Sequence, residues 1–131
     1  MNQAQFTVEK IRANYISLRK KYVSLFDPMT SFLDNMASSD DVINIRKLHS
    51  DHSVMILKER DELDDVQYDL LAISSKTMDC YTSIFKKYIK LITLILQFVG
   101  KLPGSPEVTA LVEFYVPESQ TEIKEWNELT K

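Results

Sequence analysis

Two histidines stand one helical turn apart in His49-Ser50-Asp51-His52, with a carboxylate between them. That spacing holds a metal ion when further ligands converge on it. The chain has no third histidine and lacks the His-Glu-x-x-His pattern of zinc proteases. The plainer expectation is a packed, hydrogen-bonded His52 on an apolar stripe, with His49 at its edge. Downstream lies an acidic block: Glu59, Asp61, Glu62, Asp64, Asp65 and Asp69. Glu59, Glu62, Asp65 and Asp69 share one helix face, the arrangement that binds magnesium in some all-helical nucleotide hydrolases when a facing helix adds a second carboxylate pair. No second pair is evident. Asp79 stands alone, Glu122, Glu125 and Glu128 lie near the C-terminus, and no glycine-rich phosphate loop accompanies them. The block reads as a solvated face that complements a basic helix. Cys80, the sole cysteine, has Asp79 beside it and no cation nearby in sequence. Nothing lowers its thiol pKa, so a buried structural cysteine is expected rather than a nucleophile.

The segment from Ile84 to Leu102 is the most distinctive. Lys86, Lys90, Thr93, Gln97 and Lys101 form one narrow polar stripe, bordered by Lys87, and nearly all the rest is apolar. A basic amphipathic helix of this kind can lie in a membrane interface. It can equally be the central helix of a bundle, or a groove-binding face for a partner. The core reading is favoured, with the lysines turned to water or to an acidic neighbour. Residues 59–79, at net −5, and 107–131, at net −4, are both available to the +4 of residues 80–106. Tyr15 and Tyr22 beside Arg12, Arg19 and Lys20 could stack nucleobases. The tyrosines fall on the apolar stripe and the charges off it, so core packing is the better account.

Helices must position these groups. Only two glycines and four prolines occur in 131 residues, too few turns for a sandwich or barrel of short strands. Between Met29 and Val99 the chain runs 71 residues without either. Ile11, Tyr15, Leu18, Tyr22 and Leu25 recur at four and three, one stripe of an amphipathic helix. Asp27-Pro28 reads as a helix start with Met29, Phe32, Leu33 and Met36 on one face. A long stripe follows, through Ile45, Leu48, His52, Met55, Ile56, Leu63, Val66, Leu70, Ile73, Thr77, Cys80, Ile84, Tyr88, Leu91, Ile95 and Phe98. One helix over all of it would be about 90 Å long. It therefore either breaks, with Ser74-Ser75-Lys76-Thr77 the first candidate and Ser50-Asp51 the second, or projects and needs a partner. Lys101-Leu102-Pro103-Gly104 is a stop, and Ser105-Pro106-Glu107 a restart. Val108, Leu111, Val112 and Tyr115 suit a helix, with a short strand over 108–116 as the alternative. Pro117 ends that element, and Ser119-Gln120-Thr121-Glu122 caps a last helix that carries Ile123 and Trp126 inward.

The expected fold is therefore all-α: a single domain over 1–131, either a helical bundle or a long helical hairpin over 1–102, with a short helical C-terminal appendage over 105–131. The appendage should fold back on the basic helix, its glutamates meeting Lys86, Lys87 and Lys90. The net charge of −3 gives no global field for nucleic acid. No secretory leader and no span of about 20 apolar residues is visible, which points to an intracellular, cytoplasmic protein with a reduced thiol. No catalytic constellation closes and no cofactor or metal is implied. The expected function is a non-catalytic interaction or assembly subunit, contributing helices to a larger complex, a coiled coil or a homo-oligomer. Its expected surface is Leu70, Ile73, Ile84, Tyr88, Leu91, Ile95, Phe98 and Trp126. The alternative is peripheral membrane binding through residues 84–102, with Lys86, Lys87, Lys90 and Lys101 meeting the membrane or an acidic partner. The third reading is an all-α metal-dependent hydrolase.

Overall fold

The computed structural model describes residues 3–65 and 70–130, with side chains described over 8–64 and 75–130. Five α-helices follow one another: α1 (Gln3–Val23), α2 (Thr30–Asn35), α3 (Asp40–Asp65), α4 (Leu70–Gly100) and α5 (Pro106–Leu129). A 3₁₀ turn, Asp27–Met29, precedes α2, and no strand occurs among the described residues. The chain is an all-α helical bundle, so the strand alternative for 108–116 falls away.

Helix α4 is the centre. Cys80, Tyr81, Ile84, Tyr88, Leu91, Ile92, Ile95, Phe98 and Val99 are all buried. Their positions span about a third of the helix circumference, and the partly buried Met78, Phe85, Ile89, Leu94 and Leu96 widen the apolar face to more than half, more than one neighbour can cover. Three helices cover them: α1, α3 and α5 each pack on α4. From α1 come Ile11, Tyr15, Leu18 and Tyr22, buried as their spacing predicts. From α3 come Val42, Ile45, Ile56 and Leu63, and from α5 Leu111 and Tyr115. Burial of Tyr15 and Tyr22 to 1% and 0% exposure rules out these two tyrosines as a nucleobase-stacking platform.

The long stripe does not break where its serines lie. Helix α3 runs through Ser50-Asp51, and α4 runs through Ser74 to Thr77. The two helices are antiparallel, since Glu62 pairs with Lys76, Glu59 with Lys87 and Asp41 with Lys101. Helix α3 ends where carboxylates crowd the negative end of its dipole, a position that disfavours continuation. Val66 and Asp69 lie outside the described residues. Asp27-Pro28 also differs from expectation: it forms the 3₁₀ turn, whose N-cap residue is Phe26, without a side-chain cap.

Ser105 caps α5 as expected, its Oγ accepting from the Val108 N–H at 3.2 Å, with Pro106 in the first turn. Pro117, however, does not end that helix. A proline removes one backbone hydrogen bond and crowds the carbonyl four residues earlier, at about 3 kcal/mol. Here Pro117 and Glu113 both face solvent, so water can serve the freed carbonyl. Core contacts on both sides hold the helix together: Leu111 and Tyr115 before the proline, Glu122 and Trp126 after it. Ile123, expected inward, is 40% exposed.

Continuity through Pro117 puts Glu122 on the core stripe of α5, only 1% exposed. Its carboxylate accepts from Lys21 Nζ of α1 at 2.5 Å, and Glu118 approaches the same ammonium at 3.4 Å. Burial raises the Glu122 pKa above the usual carboxylate value, and Lys21 opposes that rise. Burial also works against the Lys21 charge, but the two glutamates outweigh it and raise the lysine pKa. Nearby, Tyr115 donates its hydroxyl to the Leu25 carbonyl at 2.6 Å, tying α5 to the end of α1. Lys21→Met would leave a buried carboxylate unpaired. The expected cost at neutral pH is about 2–3 kcal/mol, below the value for a fully buried pair because a third of Lys21 is in water. A carboxyl whose folded pKa is raised binds its proton more tightly folded than unfolded, so stability is lost as pH rises and regained as it falls. The deficit of the variant should therefore shrink as pH is lowered through the raised pKa, and Lys21→Met with Glu122→Gln should recover part of it, both read by urea unfolding.

Candidate functional site

Lys86, Lys87 and Lys90 of α4 gather on the α3 side. They line a surface cleft with His52 and Met55 of α3 and Ser83 of α4, about 270 Å³ in volume. Lys87 is the inner member, its side chain 12% exposed. It donates to Ser83 Oγ and lies 3.4 Å from Glu59 Oε1, while Ser83 donates to the same carboxylate at 2.8 Å. Lys86 and Lys90 are exposed, and neither has a carboxylate within 4 Å among the described residues. Lys101 sits apart at the end of α4, 3.3 Å from Asp41. The acidic complement thus comes from α3, and the glutamates expected to reach Lys86, Lys87 and Lys90 from α5 instead meet Lys21. The reason is rotational: Glu118 and Glu122 lie on the face of α5 that turns toward α1.

The two histidines exchange their expected roles. His49 Nε2 lies 2.9 Å from the Tyr22 carbonyl, and its ring stacks on Tyr22 and tilts against Phe26. His52 borders the lysine cleft, and its buried Nδ1 has no hydrogen-bond partner among the described residues. Its pKa is lowered, first by burial and then by the charges of Lys87 and Lys90. The rings serve different elements, and among the described residues no three His, Cys, Asp or Glu side chains gather as a metal centre would require. Cys80 is buried against α3, within sulfur hydrogen-bond reach of the Glu59 carbonyl at 3.6 Å. Burial, with Glu59 nearby, pushes its thiol up to about 11.

The residues expected to meet a partner are mostly inside the chain. Ile84, Tyr88, Leu91, Ile95 and Phe98 are at most 3% exposed, covered by the other helices. They cannot form an outer surface while the bundle is closed, and a membrane-inserting α4 would have to uncover them. Trp126 is half-buried, stacked on Phe85 with ring centroids 4.5 Å apart and edge-on to Tyr81 at 5.4 Å. That docks α5 on α4. The side chains of Leu70 and Ile73 lie outside the described residues. Among the described residues, no helix is long and apolar enough to cross a membrane.

The unclaimed apolar surface lies on other residues. On α3, Ile43, Val54, Met55 and Leu57 are 47–66% exposed, although Met55 was expected in the core. On α5 they are Val112, Phe114 and Ile123. The sequence signal for the α3 set was available: Ile43, Val54 and Leu57 fall within about 60° of one another on a helical projection, opposite Ile45, Ile56 and Leu63. No protein-family model, curated protein or solved structure matches the chain.

A thiol with a pKa near 11 is only about one-thousandth thiolate at pH 8. A thiol-reactive probe should therefore label native Cys80 slowly, at a rate that rises with urea. Rapid full labelling of the folded protein would contradict the burial described above.

Proposed function

We infer that the protein is a non-catalytic assembly subunit that self-associates through the outer face of α3. The observation that carries this reading is that α3, beside its core stripe, exposes three large apolar residues on the opposite face, with Lys47 and Ser50 between Ile43 and Val54. Val42, Ile45, Ile56 and Leu63 enter the core, while Ile43, Val54 and Leu57 point into solvent. A helix at the edge of a finished bundle needs only the first. Singly exposed apolar residues are ordinary, but a row along one face suits a second helix.

Charge favours a second copy in antiparallel register. Along the outer face of α3, Lys47 stands in the first half and Asp61 in the second. Lys47 and Asp61 are equidistant in sequence from Val54. An isologous pairing centred on Val54 would set each lysine against the aspartate of the other copy. Such exposed pairs choose register more than they add affinity. The seam is narrow, so the association should depend on concentration.

Sedimentation equilibrium over a roughly hundredfold concentration range is the test. The mean mass should rise from 15.2 kDa toward twice that value. Val54→Glu with Leu57→Glu should hold it at the monomer mass while leaving helical circular dichroism and the urea midpoint unchanged, since both positions are exposed. A wild-type mass fixed at 15.2 kDa throughout, or a variant that associates like wild type, would remove this reading.

A further inference from the structure

We propose that the cleft between α3 and α4 binds a phosphate group, held by Lys86, Lys87 and Lys90 with His52 beside them. Three features of the cleft point the same way. First, three ammonium groups crowd two turns of one helix in a stretch, residues 80–106, that contains no carboxylate. Like charges so placed repel one another. The single facing acid, Glu59, engages Lys87 and Ser83, and leaves Lys86 and Lys90 without a carboxylate partner among the described residues.

Second, Lys87 is already oriented. Its side chain is largely buried and fixed between Ser83 and Glu59, so little side-chain freedom remains to be lost when an anion arrives. Third, His52 Nδ1 is buried without a partner at the edge of the same cleft. His52 lines the cleft, so an N–H of its ring can donate to an oxyanion bound there. Burial, and then the neighbouring lysines, hold His52 toward its neutral form. An anion between them reverses that field and favours the imidazolium, which adds a donor to the site.

Phosphate suits this set better than a carboxylate. It offers more acceptor oxygens and a larger charge, and lysine binds it as a point charge without planar geometry. The cleft volume of about 270 Å³ admits a small group and is open to the surface. The same phosphate chemistry is carried by a soluble anion or by a lipid headgroup.

The chain has only two histidines, so both imidazoles can be followed by NMR on the intact protein. Inorganic phosphate, pyrophosphate and chloride are titrated at matched ionic strength. Vesicles of phosphatidylcholine, with and without phosphatidic acid, form a second arm. Phosphate or pyrophosphate should raise the His52 titration midpoint by about one pH unit, with His49 unmoved and chloride without effect. Lys86→Gln with Lys90→Gln should weaken that response on the order of tenfold without changing stability, because both residues are exposed. A response to the soluble anions assigns a free phosphate ligand. A response only to vesicles bearing phosphatidic acid assigns a headgroup. A silent His52 in both arms, an equal shift with chloride, or an unchanged response in the double variant overturns the proposal.

Discussion

Everything in this chain is arranged around the need to cover α4. Its buried and partly buried apolar positions run from Met78 to Val99 and span more than half of the helix surface. Each buried Ile, Leu, Phe or Val contributes about 1.5–3 kcal/mol when removed from water, so leaving that face bare would cost more than a domain's whole net stability. One neighbour cannot span such a face. Helices α1, α3 and α5 supply three, and the turns between helices serve that end. The stop at Gly100, Pro103 and Gly104 and the cap at Ser105 send α5 back along α4. The antiparallel return of α3 brings Glu59 and Glu62 to Lys87 and Lys76.

Apolar burial draws the helices together but does not choose their rotation. Polar contacts do that here. Lys21 with Glu122, and Tyr115 with the Leu25 carbonyl, fix α5 against α1. Glu59, bonded to Ser83 and Lys87, fixes α3 against α4. The surfaces left over after this arrangement include the outer apolar residues of α3 and the lysine cleft. Each exists because its residues are not needed to cover α4.

Much of the fold was legible in the sequence, and the misses share a cause. The stripe of α1 was readable because its residues alternate at three and four over about four turns with charges strictly between them. The buried Cys80 and the cap at Ser105-Pro106 were readable from local composition alone. The end of α3 was not, because the apolar stripe continues in phase across Asp65 to Leu70 and hides the reversal. Pro117 misled because a proline forbids a helix only where its lost hydrogen bond and steric clash cannot be accommodated, and solvent exposure is invisible in sequence. Ending the helix there placed Glu122 in a capping box rather than on the core stripe, and the Lys21 pairing was lost with it. His49 and His52 were both seen, but a few tens of degrees of helix rotation decide which one reaches the Tyr22 carbonyl. The outer residues of α3 did not stand out because Ile43, Val54 and Leu57 are interspersed with polar residues, whereas the contiguous apolar run lies in α4.

The central claim is that α4 is covered by helices of its own chain and not by a partner. Amide hydrogen exchange addresses it directly when it is followed by mass spectrometry at two protein concentrations on the Val54→Glu, Leu57→Glu variant, which lacks the α3 seam through which native copies would stabilise one another by mass action. If α1, α3 and α5 complete the cover, amides from Ile84 to Val99 exchange only through global unfolding, and their rates do not change with protein concentration. Fast exchange across that stretch, or protection that grows with concentration, would mean that α4 is finished by another molecule and would contradict the account.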